Sequence, residues 1–355
     1  MKKINFLKVG VFVIIFAVGF SIGFLGFKKV TKVTPQPTPT PEANIADEIP
    51  NPDIQVGESS QTAGTITPES VNMVNVLFLG MGGAGHDGGG LTDSITLASI
   101  DYQKKIINLI AIPRDLWYRK QKINSVYSES GANSIKFDVG QITGLKVNYF
   151  LAVDFANFVS GIDLLEGVDV ENPQTWDDYF YPVKGQEQNL CGFSPEYNAE
   201  INQKYKGFEL EKQFTCRYEH LHFDQGPVHL DGATALKYIR SRHSGQYGSD
   251  FARGERAQAV LTAIGKKLIE KGLTDPANNA VKKLVSMVTS DISLAKVPET
   301  LKTIGNLVDY KTLHANLTDQ NVLTSATGPG GVYILIPKAG NGNFIEVRNL
   351  VKNVY

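Results

Sequence analysis

The stretch VNVLFLGMGGAGHDGGGLTDSITLASIDYQKKIINLIAIPRD, residues 74–115, contains three short apolar runs separated by a glycine-rich loop and a charged turn. Residues 74–80 form an apolar run that ends in glycine, which is typical of a buried strand. Residues 91–100 and 106–115 follow as two further strands, and the short turn between them predicts a hairpin. The sequence therefore predicts a sheet that contains antiparallel pairs.

The glycine-rich loop at residues 81–90 follows a strand, as nucleotide-binding loops do. However, the chain contains no GxxxxGK(S/T) sequence, and GxGxxG spacing is met only loosely. A strand is predicted after the loop, whereas a nucleotide-binding loop opens a helix. We therefore expect neither a P-loop nor a dinucleotide site, although backbone amides of so glycine-rich a loop could approach a ligand.

Helices are predicted in the second half of the chain. Residues 254–272, 279–288 and 298–307 read as helical, and residues 332–337 as a last strand. One face of the first of these helices carries four apolar side chains: Ala257, Leu261, Ile264 and Leu268. Strands and helices mixed in this way favour a layered α/β or α+β domain.

A cluster of arginines falls between residues 230 and 261 of a chain whose formal net charge is only −1. The cluster consists of Arg240, Arg242, Arg253 and Arg256. Guanidinium groups bind phosphate oxygens through paired hydrogen bonds. A solvated basic helix face is the simpler interpretation, but Gly245 and Gly248 interrupt the run and indicate a loop. The segment therefore predicts a site for a phosphate-rich ligand.

The N-terminal part of the chain predicts a membrane anchor. Residues 9–27 contain no charge and no proline, and nineteen residues in a helix span about 30 Å, the thickness of a bilayer's hydrocarbon core. A cleaved signal peptide is the alternative, but the apolar stretch is long and no small-residue cleavage site follows it. We expect residues 1–8 to be a short cytoplasmic N-terminus and the proline- and threonine-rich residues 28–70 a disordered linker.

Residues 71–355 read as one domain with an insert-like segment at residues 171–223. Both cysteines of the chain, Cys191 and Cys216, lie in that segment. Two unrelated thiols are the alternative, but a pair closing one excursion favours a disulfide formed on the oxidising side of a membrane. We therefore expect an extracytoplasmic domain on a single-pass cell-membrane anchor.

Several short strings carry a resemblance to a known family. They are LTDSITLAS (91–99), IPRD (112–115), KIN (122–124), GVDV (167–170), LDGATALKYIRSR (230–242) and DFARGERAQ (250–258). In their order and spacing they resemble the LytR-CpsA-Psr family of membrane-anchored cell-envelope proteins. The resemblance covers residues 74–272 and rests on the set of strings rather than on any single one.

The resemblance implies a three-layer α/β/α domain around a mixed central sheet. It also implies the transfer of a glycopolymer from a polyprenyl-pyrophosphate carrier to peptidoglycan, with formation of a phosphodiester and release of polyprenyl phosphate. The family's topology places the catalytic domain outside the cell, and Mg2+ on the pyrophosphate assists the reaction. Carboxylates suit so hard a cation.

The resemblance also assigns roles to individual residues. Asp93 corresponds to a magnesium ligand or base, and Arg114 to an arginine that holds the pyrophosphate, with Asp115 supporting it. Arg240 and Arg242 correspond to a phosphate clamp, whose spacing of two on an extended segment would aim both at one face. Arg253, from the second arginine pair, is a further catalytic candidate. The substrate-binding candidates are Arg256, Gln258, Asp115 and, at the pocket rim, Lys122.

The chain departs from the family pattern around the first loop. Leu91 stands where most relatives carry an arginine, and no aspartate follows Gly80 by two residues. Asp87 in the glycine-rich loop is a candidate second metal ligand, with a solvated turn aspartate as the alternative. Ala257 stands where relatives carry glutamine, and Gln258 comes next. These changes affect the expected metal site more than the phosphate clamp.

A lipid tail needs an apolar slot, which the strands and the helix at residues 254–272 could supply, although the same residues could be ordinary core. Two other functions stay open: a hydrolase of polyprenyl pyrophosphate, and a lipid-phosphate-binding protein without turnover. The near-zero net charge and the confined arginines argue against binding of nucleic acid.

Overall fold

The computed structural model describes residues 72–86, 88–271, 278–292 and 309–353. The predicted anchor, the linker and the predicted helix at residues 298–307 lie outside these ranges. Within them, no helix is both long and apolar enough to cross a bilayer.

The strands follow one another in short steps along the described residues. In chain order they are β1 (Met73–Met81), β2 (Thr92–Asp101), β3 (Ile106–Ala111), β4 (Trp117–Tyr118), β5 (Gln121–Lys122), β6 (Tyr149–Asp154), β7 (Val168–Asn172), β8 (Trp176–Pro182), β9 (Tyr218–Phe223), β10 (Gly226–Leu230), β11 (Thr289–Ser290), β12 (Lys311–His314), β13 (Leu323–Thr327) and β14 (Tyr333–Pro337). The three strands predicted at residues 74–115 and the last strand are confirmed.

The central sheet is mixed, with strand order β11-β6-β1-β2-β3-β12. The first three strands pair antiparallel, so that Leu77 lies opposite Leu97 and Leu97 opposite Ile110. Strand β6 runs parallel to β1, and β12 runs parallel to β3. The predicted hairpin and the mixed central sheet are therefore both present.

The helices lie between and after these strands. In chain order they are α1 (Val126–Thr143), α2 (Phe155–Leu164), α3 (Pro195–Lys204), α4 (Phe208–Glu211), α5 (Gly232–Arg240), α6 (Asp250–Glu270), α7 (Asn279–Ser286) and α8 (Ile345–Asn353). Helix α6 begins four residues before the predicted start at residue 254. Helix α7 ends two residues before the predicted end, and the edge strand β11 follows at residues 289–290.

Helices pack on both faces of the sheet because successive strand residues point to opposite sides. Leu77 belongs to a buried cluster that includes Ile135 of α1 and Val347 of α8. Its neighbour Phe78 points to the other face and, with Leu151, lines a space bordered by α2, α6 and α7. This second face, next to α6, is the one that adjoins the arginine cluster.

The insert-like segment is a long hairpin, formed by β8 and β9 with α3 and α4 between them. Within the excursion Cys191 and Cys216 form a disulfide, with their Cα atoms 5.6 Å apart, as the sequence predicted. Trp176 at the base of the hairpin packs against Phe223 and Tyr238. The hairpin is thus anchored in the core at one end and cross-linked at the other.

Candidate functional site

A cavity of about 520 Å³ opens at one edge of the central sheet. It lies where β1, β3 and β6 end and β2 begins, since Gly80, Ala111, Val153 and Asp93 all line it. Its charged lining residues are Asp93, Arg114, Asp178, Glu211, Arg240, Arg242, Asp250 and Arg253. The structure therefore brings five of the predicted site residues to one place: Asp93, Arg114, Arg240, Arg242 and Arg253.

Arg114 is held in position by two carboxylates, those of Asp93 and Asp115. Its Nη1 donates to Asp93 Oδ1 at 2.7 Å, and its Nε lies 3.6 Å from Asp115 Oδ2. Lys122 Nζ is 2.5 Å from Asp115 Oδ1. Asp115 is buried, and neither Asp115 nor Lys122 lines the cavity. Both were predicted to bind substrate; in the structure Asp115 contacts Arg114, and Lys122 contacts Asp115, behind the cavity lining.

Arg240 and Arg242 reach the cavity from a helix end and the turn that follows it. Arg240 is the last residue of α5, and its guanidinium lies 4.4 Å above the centre of the Phe155 ring. The predicted single extended segment for both arginines is therefore wrong: the chain changes from helix to extended backbone at Ser241. Both side chains nevertheless line the same cavity.

Asp178 stabilises this turn through hydrogen bonds, and the sequence analysis did not predict this role. Its Oδ2 accepts from Ser241 Oγ at 2.6 Å, from the Arg242 amide at 3.1 Å and from the His243 amide at 3.2 Å. Asp178 lies on β8 and is fully buried. The sequence offers one hint of this role, since Asp178 stands among aromatic residues in the string WDDYFY. The residues that Asp178 binds lie over sixty positions away in the chain, so the sequence alone could not identify them.

Arg253 and Arg256, the second arginine pair, lie in different surroundings. Arg253 lines the cavity and forms an ion pair with Asp250 one turn earlier on α6. Arg256 is only 2% exposed and donates to the backbone carbonyls of Ser241 at 2.6 Å and Tyr247 at 2.5 Å. The prediction that Arg256 binds substrate is therefore not supported by its position. The turn at residues 241–248 wraps around its guanidinium, which supports the backbone beneath Arg242.

Gln258 also lies away from the cavity. It is 1% exposed, its Nε2 donates to Asn316 Oδ1 at 2.9 Å, and its Oε1 lies 2.7 Å from His314 Nδ1. Burial lowers the pKa of His314, so this imidazole is neutral at pH 7 and donates through Nδ1. Gln258 thus ties α6 to the segment that begins with β12, and Asn316 of that segment lines the cavity.

The cationic groups of the cavity are close enough to disturb one another. Desolvation and the charge of Arg114 lower the pKa of Arg242. Burial lowers the pKa of Arg253 to about 9, and the charges of Arg242 and Arg114 contribute in the same direction. Arg253 remains charged at pH 7, so its charge is carried at a cost in free energy. An anion placed among these three guanidinium groups would remove that cost.

An apolar chamber adjoins the cavity on the helical side. Its volume is about 100 Å³, and it shares Gly80, Val153, Phe158 and Ile239 with the larger cavity. The residues that extend it away from the arginines are apolar: Phe78, Leu151, Val260, Leu261, Ile264, Leu284, Met287 and Val288. Leu261 and Ile264 of the predicted apolar face of α6 therefore border this chamber. The same face also contributes to the hydrophobic core, through Ile264 and Leu268.

The glycine-rich loop folds onto itself. The Gly83 amide donates to the Gly89 carbonyl at 2.8 Å, and the Gly89 amide donates to the His86 carbonyl at 2.9 Å. A side chain at Gly89 would collide with the Gly83 carbonyl, because a Cβ there would lie 2.0 Å from that oxygen. The amides of Gly83 and Gly89 therefore donate hydrogen bonds within the loop and not to a ligand. Leu91, which follows it, lines the cavity, and Asp87 lies outside the described residues.

Two carboxylates of the cavity suit a hard cation. Asp93 and Asp250 both line it, and Asp93 is 39% exposed with one oxygen engaged by Arg114. Mg2+ is commonly held by one or two carboxylates together with substrate phosphates. The donor set therefore fits a Mg2+ ion that arrives with a phosphorylated ligand.

Comparison with known proteins identifies the family. The sequence model of the LytR_cpsA_psr family matches residues 43–329, and the chain therefore belongs to this family. The match includes every strand and helix that lines the cavity.

Individual relatives are more distant. The polyisoprenyl-teichoic acid–peptidoglycan teichoic acid transferase TagV of Bacillus subtilis (strain 168) is 22% identical over 307 residues, which are 84% of this chain and 69% of TagV. The crystal structure of B. subtilis TagV aligns with a TM-score of 0.53 at 21% identity, over 79% of this chain and 96% of that one. The structure of TagT bound to LI-WTA aligns with a TM-score of 0.51 at 19% identity, over 80% and 89%. These structural likenesses establish a shared fold.

Proposed function

We propose that this protein transfers a glycopolymer from a polyprenyl-pyrophosphate carrier to peptidoglycan. The observation that carries the proposal is the convergence of Arg114, Arg242 and Arg253 beside an apolar chamber. A polyprenyl pyrophosphate has the same two parts, a polyanion and an apolar chain. The family assignment and the name of TagV as a teichoic acid transferase support the same reaction.

The reaction is a displacement at phosphorus. An acceptor hydroxyl on peptidoglycan forms a bond to the phosphorus that carries the glycopolymer, and the bond from that phosphorus to the bridging oxygen breaks. Polyprenyl phosphate leaves with the bonding pair, and the acceptor proton passes to a base, for which Asp93 is our candidate. The arginines stabilise the charge that develops on the phosphate oxygens, which is the main requirement of phosphoryl transfer.

In the alternative role that the family resemblance implies for it, Asp93 would hold a Mg2+ ion together with the pyrophosphate, and the ion would neutralise further negative charge. The protein's own contribution is the placement of Asp93, because Arg114 fixes one of its carboxylate oxygens. Asp115 and Lys122 in turn fix Arg114. We also propose that Asp87 supplies a second carboxylate from the glycine-rich loop.

The lipid lies in the apolar chamber in this proposal. The chamber begins at residues shared with the arginine-lined cavity, so the isoprene units nearest the pyrophosphate enter between the sheet and α6. Residues 9–27 anchor the protein in the membrane that holds the carrier, and residues 28–70 act as the spacer. The disulfide between Cys191 and Cys216 supports an extracytoplasmic domain. Helices on both faces of the central sheet support a three-layer α/β/α arrangement.

A second candidate is binding of the lipid phosphate without turnover. Leu91 favours it, because an apolar side chain lines the cavity at the position where the family resemblance implies an arginine. In that case the remaining guanidinium groups would hold the ligand without completing the charge stabilisation of a transition state.

The test uses the purified full-length protein with a polyprenyl-pyrophosphate-linked saccharide, peptidoglycan oligomers and Mg2+, followed by mass spectrometry. A peptidoglycan adduct heavier by the saccharide and one phosphate is expected. Arg242→Ala should lose on the order of a hundredfold or more in rate. Arg348→Ala is the matched control, because Arg348 binds the Gln141 carbonyl on the other face of the sheet.

Each other product supports a different function. Bound but intact lipid in the wild-type protein would support the binding protein. Cleaved lipid without an adduct would support a hydrolase. Equal turnover in Arg242→Ala and Arg348→Ala would remove the arginine cluster from the mechanism.

A further inference from the structure

The exposed face of the β8–β9 hairpin carries a group of metal-binding side chains that the proposed transferase does not use. Asp177 on β8 pairs directly with His222 on β9. His220 lies two residues before His222, so the two imidazoles share one face of the strand. His220 Nε2 and His222 Nδ1 lie 2.7 and 2.8 Å from Asp177 Oδ1. The possible ligand atoms all lie within 4.8 Å of one another.

We propose that Asp177, His220 and His222 bind a Zn2+ ion, with water completing its coordination. Two imidazoles and one carboxylate suit Zn2+, whereas Mg2+ and Ca2+ prefer oxygen ligands alone. Bonds of about 2.0–2.1 Å at tetrahedral angles separate neighbouring ligand atoms by about 3.3 Å. The three side chains are partly exposed, and each imidazole nitrogen needs to move away from Asp177 by only about 0.5 Å to admit the ion.

The surroundings orient both imidazoles for this role. His222 Nε2, the ring nitrogen that faces away from Asp177, lies 3.3 Å from Asp224 Oδ1. A histidine that binds a metal commonly donates its other N–H to a carboxylate, which fixes the ring and its tautomer. Tyr179 stacks on His220 with ring centres 4.1 Å apart and planes inclined by 4°. The cluster thus includes the outer contacts of a metal centre as well as its inner ligands.

The site joins two strands, so bound Zn2+ acts as a second cross-link of the hairpin. Asp177 faces outward, and its neighbour Asp178 faces inward, where it holds the turn that carries Arg242. The zinc ligands and the arginine-lined cavity therefore lie on opposite faces of β8. Zinc binding does not depend on the transferase proposal, because none of its three ligands lines the cavity.

The experiment titrates the metal-free full-length protein with Zn2+ by calorimetry in the presence of excess Mg2+, together with thermal unfolding. We expect one Zn2+ per chain and a rise in the midpoint of unfolding. Asp224→Asn should weaken binding by about 10- to 100-fold, the usual effect of losing an outer carboxylate. His220→Ala and His222→Ala should weaken it further and abolish the thermal shift.

The matched control is His229→Ala. His229 is also exposed and bonded to an aspartate, Asp169, but it lies on β10 away from the proposed ligands. This variant should bind Zn2+ like the wild type. Circular dichroism of the metal-free variants separates lost ligands from lost folding. Wild-type binding that excess Mg2+ abolishes, that His220→Ala and His222→Ala leave unchanged, or that is absent would each overturn the site.

Discussion

At the scale of single residues, the arginines of the cavity depend on buried side chains that hold the backbone beneath them. Asp178 accepts three hydrogen bonds from the turn at residues 241–243. Arg256 fills the other side of that turn and donates to its carbonyl groups. The position of Arg242 is therefore set by two buried charged residues, Asp178 and Arg256.

We expect Asp178→Ala to release the turn. Three donors would lose their acceptor inside the protein, which should lower the free energy of unfolding by about 3 kcal/mol or more. The rate of glycopolymer transfer should fall together with the affinity for inorganic pyrophosphate, because Arg242 is no longer held. Urea unfolding and calorimetry measure the two effects. Wild-type pyrophosphate affinity in a folded Asp178→Ala protein would contradict the role of Asp178.

The two arginines of α6 should respond in opposite ways to replacement by methionine, which keeps the apolar stem. Arg253→Met should leave the free energy of unfolding unchanged or raise it, because burial and neighbouring cations already disfavour the charge. Its pyrophosphate affinity should fall by on the order of tenfold or more. Pyrophosphate should accordingly raise the unfolding midpoint of the wild type more than that of this variant.

Arg256→Met should instead destabilise the fold by about 2 kcal/mol or more, since the carbonyls of Ser241 and Tyr247 lose their donor. Thermal and urea unfolding of both variants provide the comparison. If Arg253→Met were the less stable of the two, the division of tasks between these arginines would be wrong.

Sequence patterns predicted the residues that line the cavity better than those that support them. Arg240, Arg242 and Arg253 could be selected because clustered guanidinium groups indicate phosphate, and Arg114 because the IPRD string resembles the family. The pattern could not separate Arg253 from Arg256, three residues later, because that difference depends on how the turn folds back. It also could not reveal Asp178, whose partners are distant in the chain.

At the scale of secondary structure, the β8–β9 hairpin links the insert to the site. The disulfide closes a stretch of 25 residues within it. On the loop-closure model, a cross-link of this span contributes about 3 to 4 kcal/mol by restricting the unfolded chain. The same hairpin carries Asp178, so its stability and the position of Arg242 are coupled.

We therefore expect reduction of the disulfide to lower both the unfolding midpoint and the transfer rate. The double variant Cys191→Ser, Cys216→Ser should show the same losses without reductant and no further change with it. Urea unfolding with and without dithiothreitol makes the measurement. Unaltered stability of the double variant would show that the hairpin is held by its aromatic base alone.

Long strands were easier to predict than short ones. Strands β1, β2 and β3 are apolar enough to be read directly from the sequence. Strands β11 and β12 have two and four residues, and their pairing with distant strands forms them more than their own composition does. The end of α5, which determines the direction of Arg240, could not be predicted either, because the residue that follows it is held by Asp178 of a distant strand.

At the scale of the whole molecule, the apolar chamber lies between the sheet and the helices on one of its faces. The arginine-lined cavity and the apolar chamber meet at shared residues, which include Gly80 and Ile239. The mixed sheet was predictable from the family resemblance and the strand pattern. The chamber was not, because an apolar helix face has the same pattern whether it borders a space or the core.

Leu261→Trp should fill this chamber from α6. We expect the KM for a long polyprenyl-pyrophosphate substrate to rise by on the order of tenfold, since the first isoprene units lose their place. Affinity for inorganic pyrophosphate should stay at the wild-type level, because Leu261 does not line the larger cavity. Steady-state kinetics and calorimetry test the two expectations.

Thr262→Ala, at the next position of α6 and not among the residues that line the chamber, is the control for that substitution. A wild-type KM for the long-chain substrate in Leu261→Trp would place the lipid elsewhere.

The composition of the cavity wall has a consequence for how such a protein can diversify. Phe180, Tyr181 and Pro182 from β8, and Glu211 and Tyr218 beyond it, form one wall of the cavity. Arg114, Arg242 and Arg253 come from outside that hairpin. Exchange of these wall residues between relatives would therefore reshape one side of the cavity without replacing an arginine, as long as Asp178 is kept to hold the turn that carries Arg242.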